Sequence, residues 1–338
     1  MVSENFLDLL IDSLKPILSI YEVSRAIPTL LRRFWIHSMA HRQTAQFLIR
    51  RFREVGIRPF TKRGQNFLID LNLVELIAET ADLGPDDVVL EVGTGTGSLT
   101  ALIAPHVADV VSVEIDRQLH ELASQELVNF KNVTLLCQDV LRTKNQMHPV
   151  VLEMLQEKLA VAGSRQLKLV ANLPYHVATP IISNLLDTEV LPNSMTVTIQ
   201  KELADRLVAS PSTKDYGSLS VWMQSQCEVQ VVRTLPPSVF WPRPRVQSAI
   251  IHIQLVPQKR SLIPDISFFH SFVRAIFLHR RKYLRSVIVS AFKGQLDKPT
   301  VDGILQNEGL SLQIRAEALP VQQILNLCEA VRAVVQTV

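Results

Sequence analysis

A short apolar run, Val88–Val92, leads directly into a turn with three glycines in five residues, Gly93–Gly97. A continuous apolar run of this length is typical of a strand buried on both faces, as strands of parallel sheets are. Similar runs recur at 109–114, 132–137, 167–171 and 194–200, and helical patterns cover 72–82, 98–107 and 116–127. Alternation of strands and helices at this spacing predicts an α/β fold with a Rossmann-like, doubly wound parallel sheet.

Four residues with polar or minimal side chains follow the ends of successive predicted strands: Gly93, Glu114, Asp139 and Asn172. In open α/β sheets, ligands bind outside the carboxyl ends of the strands. We therefore expect these four positions to converge on one ligand site. Each has a plainer interpretation taken alone: a tight turn, a surface acid that begins a helix, an N-cap and a turn residue.

The most specific of these positions begins the tetrad Asn172-Leu173-Pro174-Tyr175. The Asn172 side-chain oxygen and the Leu173 carbonyl could each accept one hydrogen of an exocyclic adenine amine, while Pro174 fixes the turn and Tyr175 stacks on the base. Phe240, in the proline-rich segment 240–246, could cover the other face of the base. A proline turn that ends a strand is the alternative for the tetrad, and a loop anchored in the core by Phe240 is the alternative for the second segment.

The glycine turn and Glu114 together favour a nucleotide-like cofactor, because glycines allow close backbone approach and a carboxylate can accept both ribose hydroxyls. The spacing of Gly93, Gly95 and Gly97 differs from the GxGxxG pattern of dinucleotide-binding proteins, which disfavours an NAD-dependent oxidoreductase. With a base-holding tetrad downstream, the pattern indicates methyl transfer from S-adenosylmethionine to a base nitrogen. Asp139 could accept the adenine amine of that cofactor.

The charge of the chain is nearly balanced overall, with a net charge of +3 over 338 residues. Basic residues cluster in two blocks, seven between Arg42 and Arg63 against the single acid Glu54, and six between Ile266 and Leu296 with no acid. Two such blocks fit a footprint on a phosphate backbone, although solvated basic helices are the plainer interpretation.

The cysteines are few, Cys137, Cys227 and Cys328, and none forms a CxxC pair. Their spacing argues for a reducing compartment and against a disulfide framework or a zinc site. The nine histidines show no metal-ligand spacing, so we expect no metal. No apolar run reaches the roughly 18 residues of a membrane span, and we expect no stable membrane association.

Three regions are predicted along the chain. Residues 1–58 form an N-terminal helical extension, 59–257 carry the Rossmann-like sheet with a helical insert at 144–166, and 258–338 form a smaller C-terminal helical domain. The last boundary rests on the purely helical pattern that follows Pro257.

Ordered motifs over about three quarters of the chain resemble one family, the rRNA adenine N6,N6-dimethyltransferases, and within it the KsgA-type small-subunit enzymes. The resemblance rests on segments 64–68, 91–97, 114–116, 138–140, 172–175, 200–202, 206–209, 216–220, 240–248, 280–282 and 315–319. Arg63 and Ser286 depart from the residues usual in the family, and residues 1–50 and the 144–166 insert have no usual counterpart.

The resemblance implies a function and a set of site residues. S-adenosylmethionine would contact Asn66, Leu68, Gly93, Glu114, Asp139 and Asn172, and the positions Asn172, Tyr175 and Phe240 would hold the target adenine. The implied substrate is a pair of adjacent adenosines in a hairpin near the 3′ end of small-subunit (16S) rRNA, each of which receives two methyl groups. The helical tail would dock on the immature small ribosomal subunit in the cytoplasm, and we expect a monomer.

Two alternatives share the predicted fold. A resistance-type methyltransferase of large-subunit rRNA is disfavoured because those relatives typically carry Ile where Leu173 stands and lack the pattern of 216–220. A non-catalytic ribosome-assembly factor is disfavoured because Asn172, Tyr175 and Glu114 are all intact.

Overall fold

The computed structural model describes residues 45–57, 59 and 65–336. Of the predicted N-terminal helical extension, residues 1–44 and 58 lie outside the described part. The described part is a mixed α/β fold built on a seven-stranded sheet. Its strands, in the order β4-β3-β2-β7-β8-β11-β9, are β2 (Asp87–Val92), β3 (Asp109–Glu114), β4 (Val133–Cys137), β7 (Gln166–Asn172), β8 (Ser194–Gln200), β9 (Cys227–Leu235) and β11 (Ser248–Leu255). Two small pairs accompany it: β1 (Phe67–Leu68) with β10 (Phe240–Trp241), and β5 (Leu141–Thr143) with β6 (Gln146–Met147).

Helices cover both faces of the sheet and follow it along the chain. In the described residues the α-helices are α1 (Ala45–Glu54), α2 (Leu71–Thr80), α3 (Ser98–Ile103), α4 (Arg117–Glu126), α5 (Pro149–Ala160), α6 (Tyr175–Leu185), α7 (Lys201–Leu207), α8 (Ser218–Gln224), α9 (Pro257–Arg260), α10 (Ile266–Phe277), α11 (Leu284–Ala291), α12 (Lys298–Asn307) and α13 (Val321–Val335). Short 3₁₀ turns lie at Ala104–His106, Pro237–Val239 and Ala316–Ala318.

The five strands predicted from apolar runs, β2, β3, β4, β7 and β8, are all present. They pair with one another in parallel. All six residues of β2 are buried, as a central strand between two helical layers requires. The predicted Rossmann-like α/β sheet is confirmed. Beyond the five predicted strands the sheet continues with antiparallel strands, because β11 pairs antiparallel with both β8 and β9. The short connection between β9 and β11, without a crossover helix, returns the chain in the opposite direction.

Helix α5 lies within residues 144–166, the segment predicted to be a helical insert. It connects the edge strand β4 to β7, on the far side of β2, and packs against β2, β3 and β7. Two ion pairs fix its C-terminal end to the sheet, since Lys158 Nζ lies 3.1 Å and Arg165 Nη1 lies 2.7 Å from the Asp109 carboxylate. The helix therefore covers one face of the sheet as a crossover connection does.

The C-terminal helices α10 to α13 pack together and against α8. Trp222 of α8 stacks on His270 of α10 with ring centroids 4.2 Å apart. Buried side chains run without a break from the sheet strands into these helices, from Val88 to Val331. The helical tail is thus held to the sheet by a shared apolar core.

Candidate active site

A cavity opens at the carboxyl ends of the parallel strands, where the sequence predicts a ligand site. The glycine turn after β2, Glu114 at the end of β3, Asp139 after β4 and Asn172 at the end of β7 all line it. Asn66 and Leu68 line the same cavity from β1 and the segment before it. All six positions predicted to contact the cofactor are therefore brought together, while their contacts with a cofactor stay a prediction.

The glycine turn is built from left-handed backbone. Gly93, Gly95 and Gly97 have φ angles of 84°, 57° and 80°, a region that disfavours residues with a Cβ atom. A Cβ atom on Gly95 would lie 3.2 Å from the Phe67 ring, and one on Gly93 would lie 3.4 Å from the Pro174 ring. The turn thus packs closely against β1 on one side and the Asn172–Tyr175 segment on the other.

Glu114 is buried, with only 5% of its surface exposed, so the interpretation as a surface acid is wrong. Its two carboxylate oxygens accept hydrogen bonds from Gly95 N at 3.0 Å and Asp116 N at 2.9 Å. Burial nevertheless raises the pKa of Glu114 above its ordinary value, and the backbone hydrogen bonds oppose that rise. Asp116, next to it, caps α4 by accepting from Gln118 N and Leu119 N.

A second buried acid, Glu91, lies in the cavity wall and was not predicted as a site residue. One of its carboxylate oxygens accepts from Thr100 Oγ1 at 2.5 Å and from Ser112 Oγ at 2.7 Å, and Ser112 in turn contacts Thr94 at 2.5 Å. Burial is the largest cause that raises the pKa of Glu91 to about 7. The only signal in the sequence was its place two residues before Gly93, as the one acid within the run 88–92.

Asp139 lies at the exposed end of the cavity wall. Its Oδ1 atom accepts a hydrogen bond from Leu141 N at 2.9 Å, which is the local turn contact of the plainer interpretation. Contact with the adenine amine of a cofactor stays a prediction for this residue.

The orientation of the Asn172 amide is set by a long-range hydrogen bond. Its Nδ2 atom donates to the Asn66 carbonyl at 2.9 Å, across 106 residues of sequence. This bond fixes the plane of the amide, and the side-chain oxygen is its one atom able to accept a hydrogen bond from a ligand. The segment before β1 and the end of β7 are joined at the point where the cavity walls meet.

The rest of the tetrad divides between cavity and core. Pro174 lines the cavity, whereas the Leu173 side chain is 1% exposed and its amide donates to Thr198 O at 3.2 Å. Tyr175 is the first residue of α6, and its hydroxyl lies 2.5 Å from Ser248 Oγ on β11. Burial raises the pKa of Tyr175, so the ring stays a neutral phenol at physiological pH.

Phe240, predicted to cover a bound adenine, is only 2% exposed. It pairs with Leu68 in the β1–β10 ladder and belongs to the same buried cluster as Val170 and Ile250. In this conformation its ring is part of the core, as in the alternative that the sequence left open. Its contact with an adenine stays a prediction.

Within 45–57, 59 and 65–336, no group of three or more His, Cys, Asp or Glu side chains is arranged to hold a metal ion. No helix in the same part of the chain has the length and apolar character needed to cross a bilayer.

Comparison with known proteins shows which protein family the chain resembles. The model of the family described as ribosomal RNA adenine dimethylase matches residues 60–331. The Ribosomal RNA small subunit methyltransferase A of Alkaliphilus metalliredigens is 37% identical over 270 residues, which cover 80% of this chain and 91% of the relative. The protein of the same name from Caldanaerobacter subterraneus is 39% identical, with 80% and 96% covered.

Solved structures agree on the fold. A dimethyladenosine transferase from Plasmodium falciparum superposes with a TM-score of 0.62 at 21% identity, covering 76% of this chain and 94% of that one. The 23S rRNA methyltransferase ErmE superposes with a TM-score of 0.56 at 24% identity, covering 79% and 100%. The family model and the relatives at 37–39% identity agree on the family of this chain. The chain belongs to the ribosomal RNA adenine dimethylase family.

Proposed function

We propose that this protein is an rRNA adenine N6,N6-dimethyltransferase. With S-adenosylmethionine as methyl donor, it dimethylates two adjacent adenosines in a hairpin near the 3′ end of small-subunit rRNA. The observation that carries the proposal is the Asn172 amide, fixed by its hydrogen bond to Asn66 O beside the glycine turn. Relatives named Ribosomal RNA small subunit methyltransferase A support the choice of the small subunit.

We propose that the cavity holds a nucleoside cofactor. Left-handed glycines at 93 and 95 leave room for close approach, and the buried Glu114 carboxylate stands one strand away, where it can accept from ribose hydroxyls. Asn66, Leu68 and Asp139 would complete the walls around the cofactor. When bound, S-adenosylmethionine supplies a methyl group on a positively charged sulfur.

On the adenine side, the protein's task is to orient one amine. The Asn172 side-chain oxygen and the Leu173 carbonyl would each accept one amine hydrogen, turning the nitrogen lone pair toward the cofactor. Tyr175 would stack on the base and Phe240 would cover its other face. Because the amine proton becomes acidic only as the methyl group arrives, no strong base is required, and catalysis rests on alignment and exclusion of water.

The basic tail offers the surface for the ribosomal partner, and its arginines divide into two groups. Arg280 is committed within the protein, donating to the Glu317 carboxylate and to the Thr213 and Lys214 carbonyls, and Arg285 pairs with Asp302. Arg281 and Lys282 are exposed, as Arg280 is, but their side chains form no ion pair with the residues that the structure describes. We propose that these exposed residues of region 258–338 contact rRNA phosphates in the immature small subunit.

The other basic block is only partly described. Arg50 and Arg51 of α1 lie 3.8 Å and 3.7 Å from the Glu54 carboxylate, on the surface. Arg42, Arg58, Lys62 and Arg63 lie outside the described residues. We also propose that the enzyme is a monomer and that it acts in the cytoplasm, where small subunits mature.

The test uses donor with a deuterated methyl group, purified protein, and small subunits from a strain that lacks the modification. Mass spectrometry of nuclease fragments should show two neighbouring adenosines, each heavier by two deuterated methyl groups, near the 3′ end of the rRNA. Large subunits treated in the same way are the control. Label on large-subunit adenosines alone, or no label with folded protein, would overturn the proposal.

A further inference from the structure

Helix α1 is a described element that lies wholly before the residues matched by the family model, which begin at 60. Its apolar face is buried: Leu48 is 0% and Phe52 is 2% exposed. Phe52 enters a small cluster with Ile57, Leu119 and Leu122, against which Phe67 and Trp241 also pack. The helix is therefore bound to the protein at one defined place.

That place is a set of three aromatic rings, Phe52, Phe67 and Trp241, which we name the aromatic triad. The Phe52 ring meets Phe67 edge to face with centroids 5.2 Å apart and meets Trp241 with centroids 5.5 Å apart. The Phe67 and Trp241 rings lie 6.3 Å apart, and the two residues are partners in the β1–β10 ladder. Phe52 thus braces the two rings of this small ladder from one side.

Both ends of the active site depend on the ladder that the triad braces. Phe67 lines the cavity, and its ring lies 3.2 Å from the position that a Cβ atom on Gly95 of the glycine turn would take. Leu119, from the same cluster as Phe52, lines the cavity too. Trp241 follows Phe240, the residue proposed to cover the target adenine, and both lie in β10. A shift of Phe52 would therefore move a cavity wall and the segment that carries Phe240.

We propose that α1 is a positioning element of the methyltransferase site, acting through Phe52 on the aromatic triad. The inference rests on the proposed function and extends it to a segment outside the family match. By seating Phe67 against the glycine turn, Phe52 raises affinity for the cofactor, and by holding Trp241 it places Phe240. Because coupling between two equilibria is reciprocal, cofactor binding must in turn stabilise the docked helix.

The test compares Phe52→Leu, which keeps an apolar side chain but removes the ring, with Leu48→Ala. Leu48 lies one helical turn before Phe52, is equally buried, and stands outside the aromatic cluster. For Phe52→Leu we expect the Kd for S-adenosylhomocysteine, measured by calorimetry, to rise roughly three- to tenfold, the range that loss of aromatic pair contacts implies. For Leu48→Ala we expect a lower unfolding temperature with an unchanged Kd below that temperature.

Hydrogen exchange supplies a second measurement that does not depend on turnover. Addition of S-adenosylhomocysteine to the unaltered protein should slow amide exchange in peptides covering 45–54, and this slowing should disappear in Phe52→Leu. A wild-type Kd in Phe52→Leu, an equal rise in Leu48→Ala, or no change of exchange in α1 would overturn the inference. Cofactor binding without methylation of small subunits would instead count against the proposed function, so the two failures are distinguishable.

Discussion

Two parts of the site are built in different ways: the cofactor end, where we propose that the cofactor binds, and the adenine end, where we propose that the target base binds. The cofactor end lines the cavity, whereas Leu173, Tyr175 and Phe240 of the adenine end are not among its lining residues. At the cofactor end, the shape of the site is set mainly by the backbone. The glycines of the turn have left-handed conformations, and two backbone amides donate to the Glu114 carboxylate. At the adenine end, the side chains are buried or hydrogen-bonded within the protein. Leu173 and Phe240 are 1% and 2% exposed, and the Tyr175 hydroxyl is hydrogen-bonded to Ser248.

This difference separates a preformed part of the site from a part that awaits its ligand. At the cofactor end, the glycine turn and Glu114 already line an open cavity. At the adenine end, the Phe240 ring must leave the core if it is to cover a base. Asn172 stands between the two ends and belongs to both, since it lines the cavity and is tied to Asn66. Variants at each end should therefore affect different measurements.

The largest effect is expected at the shared residue. Asn172→Ala removes the oxygen proposed to orient the amine, and turnover on undermethylated small subunits should fall by about 10²-fold or more, as misplacement of a reacting group implies. Binding of S-adenosylhomocysteine should be weakened but retained. Asn193→Ala, at an amide paired with the Gln166 side chain on the surface, is the matched control. Near wild-type turnover in Asn172→Ala would refute the role of Asn172.

A second prediction concerns the buried acid beneath the cofactor end. The folded-state pKa of Glu91, about 7, lies above its ordinary value of 4.5, so folded protein holds this proton while unfolded protein releases it. Stability is therefore lost as pH rises from 4.5 to 7, by about 3 kcal/mol in full. Glu91→Gln, which does not ionise and can still accept from Thr100 and Ser112, should gain that amount relative to the unaltered protein.

Denaturant unfolding gives the free energy of unfolding of each protein at pH 5 and at pH 8. The gain is seen when the value for Glu91→Gln minus the value for the unaltered protein is larger at pH 8 than at pH 5. Other titrating groups are common to the two proteins and cancel in that difference. A difference that is the same at both pH values would show that Glu91 is ionised throughout.

Glu114→Ala should affect the cofactor end alone. Loss of the carboxylate proposed to accept from the ribose should raise the Kd for S-adenosylhomocysteine by roughly tenfold or more, the scale of a hydrogen bond to a charged group. At saturating donor, turnover should stay close to the unaltered value. Glu121→Ala, at an exposed acid on α4 paired with Arg117, is the control. An unchanged Kd in Glu114→Ala would remove the ribose contact from the account.

The smallest effect is expected at the adenine end. Tyr175→Phe keeps the ring and removes the hydroxyl bonded to Ser248, so the KM for small subunits should rise a few-fold, as loss of one hydrogen bond implies. The Kd for S-adenosylhomocysteine should not change. Ser248→Ala should have the same effect, and the double variant should be no worse than either single one. Additive effects would show that the two hydroxyls act separately.

Much of the cofactor end could be predicted from sequence because its positions follow from strand ends. Apolar runs locate β2, β3, β4 and β7, and parallel strands bring their carboxyl ends to one edge, where Gly93, Glu114, Asp139 and Asn172 meet. Local residue order is enough for this inference. The edge strand β9 was not predicted because several of its residues are exposed, which leaves no continuous apolar run. Strand β11 was not predicted either, although its residues 249–251 are apolar and buried.

What sequence could not supply depends on distant partners. A phenylalanine suits a cavity lid and a core equally well, so only the packing around Phe240 shows which one this conformation adopts. The orientation of Asn172 depends on a carbonyl 106 residues away, and the pKa of Glu91 depends on its complete burial. The bracing of Phe67 and Trp241 by Phe52 likewise joins three separate segments.

The central claim is that a donor held at the preformed end transfers its methyl group to an adenine amine aligned by Asn172. A single-turnover measurement tests it most directly. Protein loaded with deuterated donor and freed of excess is mixed with unmethylated small subunits, and the rRNA is analysed by mass spectrometry. We predict up to one deuterated methyl group per loaded protein, on N6 of an adenosine near the 3′ end, with little or none from Asn172→Ala. Absence of transfer from folded, loaded protein, or equal transfer by Asn172→Ala, would contradict the account.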